Sequence, residues 1–173
     1  LRAAVALLLR GARVYGMDIV DADTARPRWL GAINGTYVDG RQVRADRIDH
    51  DVAPMDMIVE AAGVAALQFN IIDALAPSGV YALTGIPGGS SSIQLPAAEL
   101  IRRIVLNNQV LVGSVNAARD HYRLAINDLS RAKKVWGDHV GQLITHRHRF
   151  DSVGDALTSH PPDAIKAIVE WTS

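Results

Sequence analysis

The chain has 173 residues, of which 49% are hydrophobic and 21% charged, a composition typical of globular α/β proteins that excludes disorder. Its 18 basic and 18 acidic residues balance, so charge favours neither nucleic acid nor a membrane surface as a partner. The absence of cysteine excludes disulfides, thiolate nucleophiles and cysteine-ligated zinc within this segment. The sequence shows neither a membrane-span pattern nor a signal-peptide pattern, so we expect a cytoplasmic location.

The first predicted elements are a helix and a strand. Residues 2–10 are strong helix formers, Gly11 suits the C-terminal cap, and residues 13–18 follow the pattern of a buried parallel strand ending on Asp18. In nucleotide-binding sheets an acidic side chain at this strand tip accepts hydrogen bonds from a ribose diol, about 20 residues after a Gly-rich phosphate turn. That turn would precede Leu1, so we expect a dinucleotide-binding unit without its first strand and G-x-G-x-x-G loop. The alternative is an ordinary helix–strand pair with a surface aspartate.

Strands and helices then alternate. Residues 19–53 form a polar, irregular stretch that contains one short strand candidate at 36–38 after the turn signal Asn34-Gly35. Beyond it the pattern predicts strands at 55–60, 80–84 and 110–113, with helices at 65–75 and 97–106 and a turn at 77–79. The Gly-rich loop 85–92 lacks the Gly-Lys-Ser/Thr of a nucleoside-triphosphate loop. This alternation predicts a Rossmann-type, doubly wound parallel sheet.

The C-terminal part departs from this rhythm. Helical patterns at 119–132 and 153–159 alternate with extended patterns at 143–150 and 165–171. We interpret this tail as leaving the nucleotide sheet for a neighbouring domain, although it could instead complete the same sheet. We therefore expect a nucleotide-binding domain over residues 1–140 and a C-terminal segment over residues 141–173.

Candidate ligand contacts follow from the strand tips, because ligands bind open parallel sheets outside the carboxyl ends of their strands. Small side chains after residue 60 would let an adenosine or ribose approach the backbone. A Gly and a hydroxyl after the next strand could flank a nicotinamide ring, and the polar groups after residue 113 could hold a carboxamide or a sugar hydroxyl. Tight helix packing or an ordinary polar loop would explain the same residues. The candidates are Asp18, Ala61, Ala62, Gly63, Thr84, Gly85, Ile86, Ser114, Val115 and Asn116.

The histidines give no comparable signal. His146 and His148 share a face of a predicted strand, but no carboxylate or cysteine stands at ligand spacing, so no metal site is expected in this segment. His121 starts a predicted helix, where a packing or capping role is favoured over that of a catalytic base.

The order of these residues resembles the glucose 1-dehydrogenase branch of the zinc-dependent medium-chain dehydrogenase/reductase superfamily, in its C-terminal nucleotide-binding part. The most specific signature is Asn-Asn-x-x-x-x-Gly-x-Val-Asn followed by His and an aromatic residue, whereas Glu-Ala-x-Gly recurs widely among relatives. The matching segments are residues 14–18, 56–63, 75–80, 85, 107–116 and 121–122.

The resemblance implies hydride transfer from C1 of an aldose to NAD or NADP, assisted by a zinc whose ligands lie mainly in an N-terminal domain outside this segment. No catalytic residue is then expected here, and the segment alone would be inactive. Asn116 would meet the nicotinamide and the sugar, Gly85 and Ile86 would line the ring site, and Ala61 to Gly63 the ribose region. The edge strand at 110–113 would pair across a two-fold axis, giving a homodimer or homotetramer.

The cofactor is inferred from the tip of the first predicted strand. Many members of the family prefer NADP and carry Asn or Gly with Arg-Arg where this chain has Met17-Asp18-Ile19. The Asp18 carboxylate would repel a 2′-phosphate, which favours NAD, although Arg26 and Arg28 in the stretch that follows could allow NADP. Two other functions stay open: a zinc-free quinone or enoyl reductase of the same superfamily, and a non-catalytic NAD-binding regulatory module.

Overall fold

The computed structural model describes residues 1–89, 92–159, 161 and 163–171, and every strand pair in this part is parallel. The predicted α/β class with parallel strands is thereby confirmed. The α-helices are α1 (Arg2–Leu8), α2 (Ala25–Ala32), α3 (Ile48–Asp51), α4 (Ala65–Asn70), α5 (Ala97–Leu106), α6 (Arg119–Trp136) and α7 (Val153–Thr158). The strands are β1 (Tyr15–Asp18), β2 (Thr36–Asp39), β3 (Met55–Glu60), β4 (Leu75–Leu83), β5 (Val110–Gly113), β6 (Ile144–Arg149) and β7 (Lys166–Glu170).

The chain divides into two compact units. One consists of Leu1–Asp39 together with the chain from Ala117 onwards, and the other of Gly40–Asn116. The first contains the pairs β1–β2 and β6–β7, and the second contains the sheet β3–β4–β5. In the described strands the tail pairs only with itself, so it does not complete the sheet of the second unit. The functional boundary expected at residue 140 stays a prediction.

The first unit begins as the sequence predicts. Helix α1 ends in a turn in which Gly11 has a φ of 80° and Ala12 N–H donates to Leu7 O at 3.1 Å. A residue without a Cβ adopts this left-handed conformation at little cost. The predicted turn at Asn34, whose φ is 68°, leads into β2. Strand β1 pairs with β2 in register from Tyr15 to Asp18.

The strand expected at 36–38 is present as β2, but the rest of residues 19–53 is more regular than predicted. Helix α2 lies within this stretch, and a 3-10 helix at Ala45–Arg47 and helix α3 follow β2. Two arginines, a proline and a glycine obscure α2 in the sequence. Its stability comes from burial, because Trp29 and Leu30 are 3% and 1% exposed, in the core that also buries Val5 of α1.

Helix α6 is four residues longer than predicted. It continues to Trp136 and ends at Gly137, whose φ is 56°. The pair Arg10–Asp128, at 2.8 Å, joins the end of α1 to this helix, and Ala132 packs in the core fully buried. The helix is longer because residues 133–136 are all compatible with helical structure, and the first glycine comes only after them.

The predicted helix at 65–75 in the second unit is too long. Helix α4 ends at Asn70, a 3-10 helix spans Ile71–Ala74, and Leu75 already begins β4. The tighter 3-10 turn buries Ile72 and Ala74, which are 2% and 0% exposed, beneath the sheet. Sequence periodicity cannot place this transition because both conformations keep apolar residues on the inner face.

The predicted turn at 77–79 lies inside strand β4 as an irregularity. Met55 pairs with Leu75 and Met57 with Val80, so the residues between are looped out, with Ser78 at a φ of 60°. Ser78 N–H donates to Asn107 O at 2.7 Å. Residues 90 and 91 of the predicted loop 85–92 lie outside the described residues.

Candidate functional site

A cleft of about 420 Å³ opens at the carboxyl ends of β4 and β5. Its position follows from the parallel sheet, where consecutive strand tips emerge at one edge. The lining consists of two strand-end loops and one buried helical side chain. It comprises Gln68, Leu83, Thr84, Gly85, Ile86, Pro87, Gly113, Ser114 and Val115.

A buried carboxylate organises the turn after β3. Glu60 is only 4% exposed, and its Oε1 accepts hydrogen bonds from the backbone N–H groups of Ala62, at 2.6 Å, and Gly63, at 2.8 Å. A buried charge is costly unless hydrogen bonds satisfy it, and bonds to an ionised group are strong. The Glu60 side chain therefore fixes the turn in which the candidate residues Ala62 and Gly63 lie.

Gln68 of α4 links this carboxylate to the next loop. Its Nε2 donates to Glu60 Oε2 at 2.6 Å and to Gly85 O at 2.9 Å. Both hydrogens of the amide are thus used, and the acceptors fix which way the amide points. The backbone carbonyl of Gln68 in turn accepts from the Tyr81 hydroxyl at 2.9 Å.

Tyr81 is fully buried in β4. Its burial, together with the nearby Glu60 carboxylate, raises the pKa of its phenol well above the usual value. The phenol is therefore a hydrogen-bond donor at any physiological pH. It holds the backbone of α4 against the sheet.

The two loops approach each other at glycines. Gly63 has a φ of 68°, and a Cβ there would lie 2.7 Å from Ile86 O. A Cβ on Gly85 would lie 2.7 Å from Glu60 Oε2 and 2.8 Å from Gly63 Cα. In addition, Thr84 Oγ1 donates to Glu60 O at 2.7 Å. The Thr84 hydroxyl, which the sequence places beside a nicotinamide ring, therefore donates its hydrogen to the protein backbone.

Asp18 lies in the other unit, at the end of β1. Its Oδ1 accepts from Ile19 N–H at 2.8 Å, and its Oδ2 accepts from Arg26 Nη1 at 3.2 Å. The side chain is about one third exposed. Arg26 and Arg28 belong to helix α2 rather than to an irregular stretch, so the cation beside Asp18 has a defined position. Tyr37 adds a hydrogen bond to the backbone carbonyl of Asp18 at 3.0 Å.

The structure therefore groups most of the candidate residues in one place. Ala62, Gly63, Thr84, Gly85 and Ile86 meet through the Glu60 turn, and Ser114 and Val115 form the facing wall of the cleft. Ala61 is exposed between Glu60 and Ala62, and Asn116 is exposed directly after Val115. Asp18 belongs to the other unit.

The sequence reasoning missed Glu60 and Gln68 as site residues. Glu60 follows the apolar residues 57–59 at the end of β3, which is a signal for a buried carboxylate that holds the following turn. Gln68 carries no such signal, since a glutamine in a short helix is ordinarily exposed.

His121 caps helix α6 as expected. Its Nδ1 accepts a hydrogen bond from Ala118 N–H at 3.0 Å, so the ring satisfies a free backbone donor at the start of the helix. Within the described ranges, no three His, Asp or Glu side chains cluster in a way that could hold a metal ion. Across those same ranges, every helix is too short or too polar to cross a membrane.

Comparison with known proteins agrees with this arrangement. Residues 1–171 match the family model described as glucose dehydrogenase C-terminus. Glucose 1-dehydrogenase 2 of Vulcanisaeta moutnovskia is 35% identical over 165 residues, which cover 91% of this chain and 44% of the relative. Glucose 1-dehydrogenase of Halobacterium salinarum is 41% identical over 139 residues, covering 80% and 38%. The chain thus spans less than half the length of these curated relatives.

A solved structure gives the same result. Glucose dehydrogenase from Haloferax mediterranei, described in complex with NADP, Zn and gluconolactone, superposes with a TM-score of 0.85 at 27% sequence identity. The match covers 98% of this chain and 48% of that one. The resemblance inferred from the strand-end motifs is confirmed, and the chain belongs to the family of glucose dehydrogenase C-terminal regions.

Proposed function

We propose that this chain is the nucleotide-binding part of an oxidoreductase that transfers hydride from C1 of a glucose-like aldose to NAD or NADP. The observation that carries the proposal is the cleft of about 420 Å³ at the carboxyl ends of β4 and β5. Open parallel sheets bind nucleotides at this edge. The glucose dehydrogenase described with NADP and gluconolactone supports the same chemistry.

The residues of the cleft fit the nicotinamide end of a dinucleotide. Ile86 and Val115 are 75% and 73% exposed and provide apolar surfaces for a flat ring. A Cβ at Gly113 would meet nothing within 4 Å, so this wall leaves space for a ligand. Ser114 and Asn116 supply polar groups for a carboxamide, and Asn116 is the proposed contact to the sugar. Ala61, Ala62 and Gly63 form the proposed ribose region.

Asp18 is the proposed ligand of a ribose diol. Its carboxylate would repel a 2′-phosphate, so we propose that NAD is preferred. Arg26, whose Nη1 lies 3.2 Å from Asp18 Oδ2, neutralises part of that charge. Rotation of this guanidinium towards a 2′-phosphate is the route by which NADP would be accepted.

We propose that the zinc ligands and the acid–base residues lie outside this chain. When bound, the metal would act as a Lewis acid on the C1 hydroxyl. The residues of this chain would bind and orient the dinucleotide and keep water from the ring.

We further propose a homodimer or homotetramer in which β5 pairs with a second copy. It is an edge strand of the sheet β3–β4–β5, and Val110 and Val112 are 51% and 45% exposed. Exposed apolar edge strands are commonly covered by pairing. The cytoplasmic location stays a prediction of the sequence.

Hydride transfer by the full-length protein tests the proposal. NAD and NADP are compared on glucose, galactose and xylose, before and after zinc chelation. We expect chelator-sensitive turnover that favours NAD. Turnover that favours NADP would refute the role given to Asp18, and chelator-resistant reduction of quinones or enoyl substrates would favour a zinc-free reductase. Cofactor binding without any turnover would instead indicate a regulatory module.

A further inference from the structure

We propose that Gln68 is a positioning residue whose side-chain amide sets the orientation of the Gly85–Ile86 peptide group beside the nicotinamide end of the dinucleotide. The proposal rests on the function proposed above, because it assigns the ring end of the cofactor to this cleft. The juxtaposition that carries it is one buried amide shared between a carboxylate at the tip of β3 and a carbonyl at the tip of β4.

Both N–H groups of the Gln68 amide are already engaged. Gln68 is 8% exposed, and its Nε2 donates at 2.6 Å to Glu60 Oε2 and at 2.9 Å to Gly85 O. The first bond has an ionised acceptor and is therefore the stronger of the two. It holds the amide plane, and the second N–H then points at Gly85 O.

The Glu60 carboxylate is a rigid reference for this amide. Its other oxygen accepts from two backbone N–H groups, and the Glu60 carbonyl accepts from Gly85 N–H at 3.1 Å. Both backbone polar groups of Gly85 are thus held by the pair Glu60 and Gln68. Rotation of the peptide group after Gly85 would break the bond to Gln68.

Gln68 affects the cleft through the geometry of the peptide bond between Gly85 and Ile86. No cis peptide occurs in the described residues, and a trans peptide keeps its N–H antiparallel to its C=O. By fixing Gly85 O, Gln68 fixes the direction of Ile86 N–H. The Ile86 side chain, which is 75% exposed and lines the cleft, starts from the same peptide group.

Variants of the full-length protein separate positioning from stability. Gln68→Glu removes both N–H donors and places a second carboxyl group beside Glu60, 2.6 Å from the present amide nitrogen. The two carboxyl groups then share one proton between them, which leaves no donor for Gly85 O. The double variant Glu60→Gln with Gln68→Glu restores one amide–carboxylate bond between the two positions. It still lacks a donor for Gly85 O at neutral pH.

Gln109→Glu is the matched control. Gln109 is also 8% exposed, and its Nε2 donates to Leu75 O at 2.8 Å and to Ala76 O at 3.2 Å, at the start of β4. The same substitution there removes two bonds of the same kind away from the strand tips that form the cleft. It measures what the loss of a buried amide does to stability alone.

Four quantities are measured: amide hydrogen exchange over residues 84–89, the melting temperature, kcat, and KM for the sugar at saturating dinucleotide. In Gln68→Glu we expect exchange at Gly85 and Ile86 to rise, and kcat to fall, by about tenfold or more, which is the effect of losing one buried hydrogen bond. KM for the sugar should stay within about twofold, because the substitution is not at the sugar contact. The double variant should regain melting temperature while exchange and kcat stay altered, and Gln109→Glu should lower melting temperature alone.

The proposal is overturned if exchange at Gly85 and Ile86 in Gln68→Glu equals that of the wild type. It is also overturned if the double variant restores kcat and exchange together with stability, since the pair would then be purely structural. Failure of the proposed function is a separate result. A wild-type protein that turns over no sugar refutes that function, while the exchange measurement still decides whether Gln68 orients the loop.

Discussion

Substitution of Gly85 by alanine tests the rigidity of the contact between the two strand-end loops. The added Cβ would lie 2.7 Å from Glu60 Oε2 and 2.8 Å from Gly63 Cα, where ordinary contacts begin near 3.4 Å. Gly63 cannot retreat easily, because its N–H is bonded to Glu60 Oε1 at 2.8 Å and its Cα faces the backbone of Ile86. The substitution must therefore displace backbone or break hydrogen bonds of the carboxylate.

The expected loss of stability follows from those two effects. Overpacking of a tight site costs about 1–3 kcal/mol. A buried carboxylate that loses one of its hydrogen bonds costs about 1–3 kcal/mol more. We expect the free energy of unfolding to fall by about 4 kcal/mol. For a chain of this size such a change lowers the melting temperature by about 8–16 °C.

Thermal unfolding followed by circular dichroism measures the loss, and hydrogen exchange locates it in the unit Gly40–Asn116. Gly113→Ala is the matched control, since Gly113 also lines the cleft but a Cβ there would meet nothing within 4 Å. The control should change stability by less than about 0.5 kcal/mol. A decrease in the free energy of unfolding below about 1 kcal/mol for Gly85→Ala would refute the reasoning, because the two loops would then accommodate the Cβ by moving apart.

Three further outcomes are expected. Folding holds the pKa of Tyr81 above its unfolded value, so the stabilisation by the protonated phenol is complete below about pH 10 and the free energy of unfolding falls above that pH by about 1.4 kcal/mol per pH unit. Tyr81→Phe should flatten this decline between pH 9 and pH 11 in urea titrations, and an unchanged decline would contradict the assignment. Trp29→Phe removes the bond from Nε1 to His139 O at 2.7 Å and should cost about 1–3 kcal/mol in urea unfolding, whereas a cost under about 0.5 kcal/mol would show that water replaces the donor. Asp18→Asn should shift the ratio of the dissociation constants of NAD and NADP by about tenfold in favour of NADP in the full-length protein. An unchanged ratio would show that Asp18 does not contact the ribose.

The alternation of helices and strands can be read from the amino-acid sequence alone. Helix α1, strand β1 and the strands at 55–60 and 110–113 were predicted at nearly their observed positions, because local periodicity and a cap such as Gly11 suffice to define them. The strand tips followed directly, and with them the cleft residues Thr84 to Ile86 and Ser114 to Val115. The resemblance carried by the same motifs gave the family.

Helix α2 and the bonds around Glu60 depend on contacts between residues that are distant in the chain. Helix α2 was invisible in the sequence because burial of Trp29 and Leu30, rather than helix propensity, stabilises it. Gln68 bonds to Glu60 and to Gly85, which lie 8 and 17 residues away from it in the chain. No local pattern encodes such contacts, because they exist only once parallel strands bring their tips to one edge of the sheet.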